Sequence, residues 1–134
     1  MAKHYYTIEE ANKLLPQIQH QMAILRQAKD ELALMRLSLA RKQKAQKENE
    51  DSYDFFKEEA EIEFSLISTR QQIAHLHTLS IVIKDIDHGL VDFLALIDGK
   101  DAYLCWRDGE PNVRYWHGIE EGFSGRKPLQ QPPS

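Results

Sequence analysis

The sequence predicts an α+β fold: a long antiparallel helical hairpin followed by a small antiparallel β-meander. Three observations predict it. Residues 8 to 80 contain no glycine and a single proline, whereas all six glycines and the other four prolines fall between Gly89 and Pro133. Such residues punctuate turns. Apolar residues recur at steps of three and four through the first half, the period of a helix face. In the second half, Asp98-Gly99 and Asp108-Gly109-Glu110-Pro111 separate runs in which apolar and polar residues alternate, the period of a strand.

The first helix opens at Thr7. Thr7-Ile8-Glu9-Glu10 is a capping box, in which the Thr7 hydroxyl accepts from the amide of residue 10 and Glu10 reaches back. Pro16 lacks an N–H and disfavours helical angles at Leu15, so the sequence predicts a short helix, a kink and a restart. Ile18, Met22, Leu25, Ala28, Leu32, Met35 and Leu39 then form one stripe on a helix reaching about residue 47. A polar link, Glu48 to Ser52, leads to a second helix starting near Asp51 or Ser52, with Phe55, Ile62, Leu66, Ile73 and Leu76 as its stripe.

Charge agrees with an antiparallel pair. Arg36, Arg41, Lys42, Lys44 and Lys47 precede Glu58, Glu59, Glu61 and Glu63, so a basic helix end lies beside an acidic helix start. Each block also suits the helix dipole. Leu14, Leu34, Leu37 and Ile67 widen the apolar surface beyond one seam. A second copy is expected to cover it, giving a homodimer with coiled-coil character.

Asp98-Gly99 predicts a two-residue type I′ turn. It pairs Ile97 with Lys100, Phe93 with Leu104, Asp92 with Cys105 and Val91 with Trp106. Centring the next turn on Gly109-Glu110 pairs Cys105 with Arg114 and Tyr103 with Trp116. One face then carries Val91, Phe93, Leu104, Trp106, Val113 and Tyr115, the expected core. The other carries Asp92, Tyr103, Cys105, Arg107, Arg114 and Trp116. Arginines flanked by aromatic rings suit a planar anion, and arginines beside Cys105 would favour its thiolate. The same residues also suit a solvated outer face, with Asp92 paired diagonally to Arg107. In this register Cys105 and His117 point to opposite faces, which removes a Cys-His zinc site or nucleophile pair. Asp85, Asp87 and His88 could offer a divalent metal two carboxylates and an imidazole, although the spacing matches no closed template. No Gly-rich phosphate loop, Gly-x-Ser-x-Gly elbow or His-Glu-x-x-His motif occurs.

Composition bounds the rest. A 134-residue chain is expected to form one domain over residues 1–129: a hairpin over 7–80, a sheet over 81–118, an extension over 119–129 and a disordered tail over 130–134. The lone Cys105 excludes an intrachain disulfide. A net charge of −4 argues against a general nucleic-acid binder. Apolar runs are too short to span a membrane, and the first residues lack a signal-peptide pattern, so a cytoplasmic location is expected.

Several segments resemble a family of small bacterial proteins, domain of unknown function 2203. They are Tyr6-Thr7-Ile8-Glu9-Glu10-Ala11-Asn12 with Leu14-Leu15-Pro16, and Val82-Ile83-Lys84-Asp85-Ile86-Asp87 with Gly89-Leu90-Val91-Asp92-Phe93. The series continues through Tyr103-Leu104-Cys105-Trp106-Arg107, Gly109-Glu110, Tyr115-Trp116-His117, Gly122-Phe123 and Gly125-Arg126. Leu94 stands where the family is expected to carry proline. The resemblance implies an uncharacterised bacterial protein and brings no activity, ligand or site residue. From the residues, the first expectation is a non-enzymatic oligomeric module with a small-anion or partner-binding sheet face. A metal- or thiol-dependent enzyme using Asp92, Cys105 and Arg114 is the alternative, and a nucleic-acid-associated factor the third.

Overall fold

A computed structural model describes residues 3–49 and 54–129. Two helices, α1 (Ile8–Asn49) and α2 (Phe56–Thr78), precede a sheet of five strands. The strands are β1 (Ile81–Asp85), β2 (Leu90–Ile97), β3 (Lys100–Arg107), β4 (Tyr115–Gly118) and β5 (Lys127–Pro128). They follow one another in space as in sequence, and every pair is antiparallel. The α+β meander is therefore the architecture of the chain. No helix among the described residues is long and apolar enough to cross a membrane. The chain divides into two compact units, one running through Met22 and resuming at Ile73, the other Ala23–Gln72.

In the first unit the capping box forms as its sequence dictates. The Glu10 amide donates to the Thr7 hydroxyl at 3.1 Å, and the Thr7 amide donates to the Glu10 carboxylate at 3.2 Å. Just before it, the Tyr6 amide donates to the Leu94 carbonyl, and the Tyr6 hydroxyl donates to the Leu79 carbonyl. This ties the N-terminal segment to the sheet. The expected break at Pro16 does not occur, since α1 is one helix from Ile8 to Asn49. Proline in a helix interior costs about 3 kcal/mol. Here Ala11, Leu15, Ile18 and Met22 are buried on both sides of it, and burying a Leu or Ile side chain contributes roughly 1.5–3 kcal/mol. Tertiary packing outweighs the local preference.

The β2–β3 hairpin takes the predicted register, from Ile97↔Lys100 to Leu90↔Arg107. Asp98 and Gly99 both have positive φ, 54° and 76°, as a type I′ turn requires. Val91, Phe93, Leu104 and Trp106 are all buried on one face. The β3–β4 register is displaced by one residue from expectation. Cys105 pairs with Tyr115, Leu104 with Trp116 and Tyr103 with His117. The connection is not a two-residue turn but the whole of residues 108–114. Two bonds hold it open: the Trp106 indole N–H donates to the Glu110 carbonyl, and, from 101 residues away, Asn12 Oδ1 accepts from the Val113 amide. A one-residue slip exchanges the faces of a whole strand, so Tyr115 and Trp116 trade sides. The extension beyond β4 is structured too, adding a 3₁₀ turn (Phe123–Gly125) and β5 to the sheet.

The second unit is a helical hairpin. Ala28, Leu32, Met35 and Leu39 of α1 and Ile62, Leu66 and Thr69 of α2 are half-buried at helical spacing. Gln43 Nε2 donates to Glu59 Oε1 across the pair. The predicted start of α2 at Asp51 or Ser52 lies outside the described residues, as does the tail at 130–134. The helix described begins at Phe56, whose amide donates to the Asp54 carboxylate at 2.9 Å.

Candidate metal centre

The corrected register brings three ligand-type side chains together. Asp92 on β2 stands opposite Cys105 on β3, and His117 on β4 stands opposite Tyr103, two residues from Cys105 along the same strand. Alternation puts all three on one face. Asp92, Cys105 and His117 are only 1%, 1% and 2% exposed. One ligand atom from each lies within 4.8 Å of the other two, and among the described residues no other set of three or more His, Cys, Asp and Glu ligands gathers this closely.

Their hydrogen bonds leave the set short of donors. His117 Nδ1 lies 2.8 Å from the Gly118 carbonyl, and Nε2 lies 2.9 Å from Asp92 Oδ2. A carbonyl can only accept, so Nδ1 carries a proton. In neutral imidazole Nε2 is then a lone pair, facing a carboxylate oxygen. A proton shared between the two accounts for the 2.9 Å contact, and a metal ion could replace that proton. Asp92 Oδ1 is buried with no nitrogen or oxygen donor, and the Cys105 thiol is the hydrogen-bond donor that reaches the Asp92 carboxylate.

The C-terminal extension covers this face. The Arg126 guanidinium stacks 4.1 Å from the ring centres of both Tyr115 and Phe123 and bonds Glu110 at 2.9 Å. It also reaches the Cys105 thiol. Burial works against its charge, but Glu110 more than compensates, so its pKa ends above the ordinary value. Glu121 shapes the approach, accepting from the Gly118 amide and from Lys127. A Cβ on Gly118 or Gly125 would lie 3.0 Å from the Glu121 side chain, so a larger residue at either position would push Glu121 aside.

Burial, followed by the Asp92 charge, pushes the Cys105 thiol up to about 12, with Arg126 pulling the other way. The expected activation by arginine is thus outweighed. At neutral pH the residue is a thiol, and a nucleophilic thiolate has no support.

The remaining sequence candidates scatter. Tyr103 is half-buried, its ring 5.6 Å from that of His117. Arg107 is exposed and lines an open cleft with Asp85, His88, Leu90 and Phe123. Arg114 leaves the predicted row, where Tyr115 replaces it; it is exposed, with Nε donating to Asn112. Trp116 stands opposite Leu104, away from the Cys105 side, under the Lys127 ammonium. The arginines therefore do not converge on one anion. Asp85 and His88 pair with each other at 2.9 Å on the surface, and Asp87 does not complete a ligand set with them. The sequence register sets His117 on the face opposite Cys105 and so separates them; a two-residue turn in place of the loop 108–114 is the cause, and strand alternation with the longer loop brings them together. No local sequence signal brings Arg126 to this site.

The family model described as Uncharacterized conserved protein (DUF2203) matches residues 4–129. No curated protein and no solved structure matches the chain.

Proposed function

Because the chain belongs to the family of Uncharacterized conserved protein (DUF2203), which carries no assigned activity, its function has to be argued from its own side chains, and we propose that it is a metal-binding protein holding one zinc-class divalent ion through Asp92, Cys105 and His117. The observation that carries this reading is the gathering of one oxygen, one sulfur and one nitrogen ligand atom, all buried, within 4.8 Å of one another.

Zinc accepts this mixture of oxygen, sulfur and nitrogen ligands. Its charge of +2 balances one carboxylate and one thiolate around a neutral imidazole, leaving no net charge in a dry site. Zinc bonds of about 2.0–2.3 Å set tetrahedral ligand atoms about 3.3–3.6 Å apart, so the metal would part the His117 and Asp92 atoms slightly from 2.9 Å and draw in those that lie farther off, within 4.8 Å. The surroundings suit the role. The Gly118 carbonyl fixes the His117 tautomer that presents Nε2, as backbone carbonyls commonly do for metal-bound histidines. Arg126 is positioned to donate to the sulfur, with Glu110 balancing its charge. The metal displaces the thiol proton, so the raised thiol pKa weakens binding at every pH below it, neutral pH included, and the affinity rises with pH.

The three ligands sit on three successive strands and are almost wholly buried. The ion therefore ties three strands of the sheet together, and three protein ligands leave its fourth position to a non-protein ligand. Calorimetric titration of the metal-stripped full chain with zinc tests this. The expected result is one site per chain and a higher melting temperature on binding, both lost in Asp92→Asn and His117→Ala. Failure of zinc to bind at one equivalent would leave a proton in that position, and the trio as a buried ion pair.

A further inference from the structure

We infer that one end of the sheet carries a second ligand site, a cleft that takes a phosphate monoester through Arg107 and His88. The inference is independent of the metal reading. Asp85, Leu90 and Arg107 form one row across β1, β2 and β3, and residues directly opposite one another share a face. His88, from the turn between β1 and β2, and Phe123, from the 3₁₀ turn, complete an open cleft of about 310 Å³. The Asp108 amide donates to the Gly89 carbonyl at 3.0 Å, so the backbones that carry His88 and Arg107 are tied together.

Asp85 is the one acid lining the cleft, and His88 occupies it. Oδ1 accepts from the His88 amide at 3.1 Å, and Oδ2 lies 2.9 Å from His88 Nδ1. These bonds, the imidazole first, hold the Asp85 carboxyl below the usual range. An ionised carboxylate only accepts, so the proton of that contact sits on Nδ1. Nε2 has no partner among the described residues. Nor does any carboxylate among them pair with the Arg107 guanidinium, whose neighbour is the Phe123 ring at 5.6 Å. Glu110 accepts instead from the Arg107 backbone amide and from Arg126.

A head group with three free oxygens satisfies both side chains. Two oxygens meet the guanidinium fork, and the third meets His88 Nε2. A carboxylate has two oxygens, and the fork uses both. A phosphate monoester also changes protonation near neutral pH. It can therefore accept from an imidazolium or donate its own proton to a neutral imidazole. Half-buried Leu90 and 38% exposed Phe123 line the rest of the cleft, which suits an apolar ester group.

Titration of the metal-stripped full chain with phenyl phosphate, followed through amide chemical shifts, tests the inference. The expected result is saturation at one site, with the shifts centred on the amides of His88, Gly89, Arg107 and Phe123. Arg107→Gln should weaken binding by roughly tenfold or more, the loss of a charge-assisted fork. His88→Ala should weaken it by roughly threefold to tenfold, the loss of one hydrogen bond. Both side chains are exposed, so far-ultraviolet circular dichroism should be unchanged in each variant. Benzoate, which engages Arg107 alone, and inorganic phosphate, which has no apolar group, should each bind more weakly than phenyl phosphate. No saturable shift at these amides, or an Arg107→Gln variant that binds as tightly as wild type, would overturn the site. Benzoate binding as tightly as phenyl phosphate would overturn the three-oxygen head group, and inorganic phosphate doing so would overturn the apolar ester.

Discussion

Thr7 and Glu10 hold each other's backbone amides at the start of α1. Thr7→Ala removes one of the two bonds and should cost about 1 kcal/mol, read as a lower denaturant midpoint at unchanged slope. Two other residues set the response to acid. Asp101 accepts from Lys3 Nζ at 2.7 Å and from the Tyr5 hydroxyl at 2.9 Å, and these bonds, Lys3 first, hold its carboxyl below the usual range. The bonds of Glu10 to Thr7 lower its carboxyl in the same way. A group whose pKa is depressed by folding adds stability above its unfolded value and loses it as pH falls through the folded one. Asp101→Asn should therefore melt below wild type near neutrality. The two melting curves should converge from about pH 4 downward. A gap that stays constant with pH would show that the carboxylate charge is not involved. Trp106 combines complete burial with an indole N–H that fixes the β3–β4 loop. Trp106→Ala should cost roughly 3–5 kcal/mol, measured by chemical denaturation.

At the scale of elements, what was legible in the sequence depended on how local its cause was. Thr7 with Glu10, and Asp98 with Gly99, act within four residues, and the cap and the β2–β3 register follow from them. The Pro16 and β3–β4 expectations failed for the opposite reason. Burial of Ala11, Leu15 and Ile18 carries the helix through its proline, and Asn12 holds the Val113 amide from 101 residues away. No periodicity encodes such contacts. The cost of missing them was one residue of register, enough to put Arg114 in place of Tyr115 and to separate Cys105 from His117. The Asn12 contact is itself testable. Asn12→Ala leaves the amide of a buried residue without an acceptor and should cost about 1–3 kcal/mol. Cross-strand amide contacts at Tyr103 and His117 should loosen with it, visible as faster hydrogen exchange. Unchanged exchange there would mean that the loop is set by Glu110 and Trp106 alone.

For the whole molecule, two compact units carry different features. The sheet unit holds three buried ligand-type side chains beside Arg126, and the hairpin unit leaves Phe56, Phe64 and Ile67 of α2 exposed. Half of the site, Asp92 and Cys105, was legible because their hairpin was; His117 and Arg126 required the fold. The central claim is that Asp92, Cys105 and His117 hold a metal ion bonded to sulfur. Cobalt(II) added to the metal-stripped chain reports that bond directly. The account predicts a sulfur-to-cobalt charge-transfer absorption that saturates at one equivalent, disappears in Cys105→Ser and is displaced by zinc. A wild-type spectrum no different from that of cobalt in buffer would contradict it.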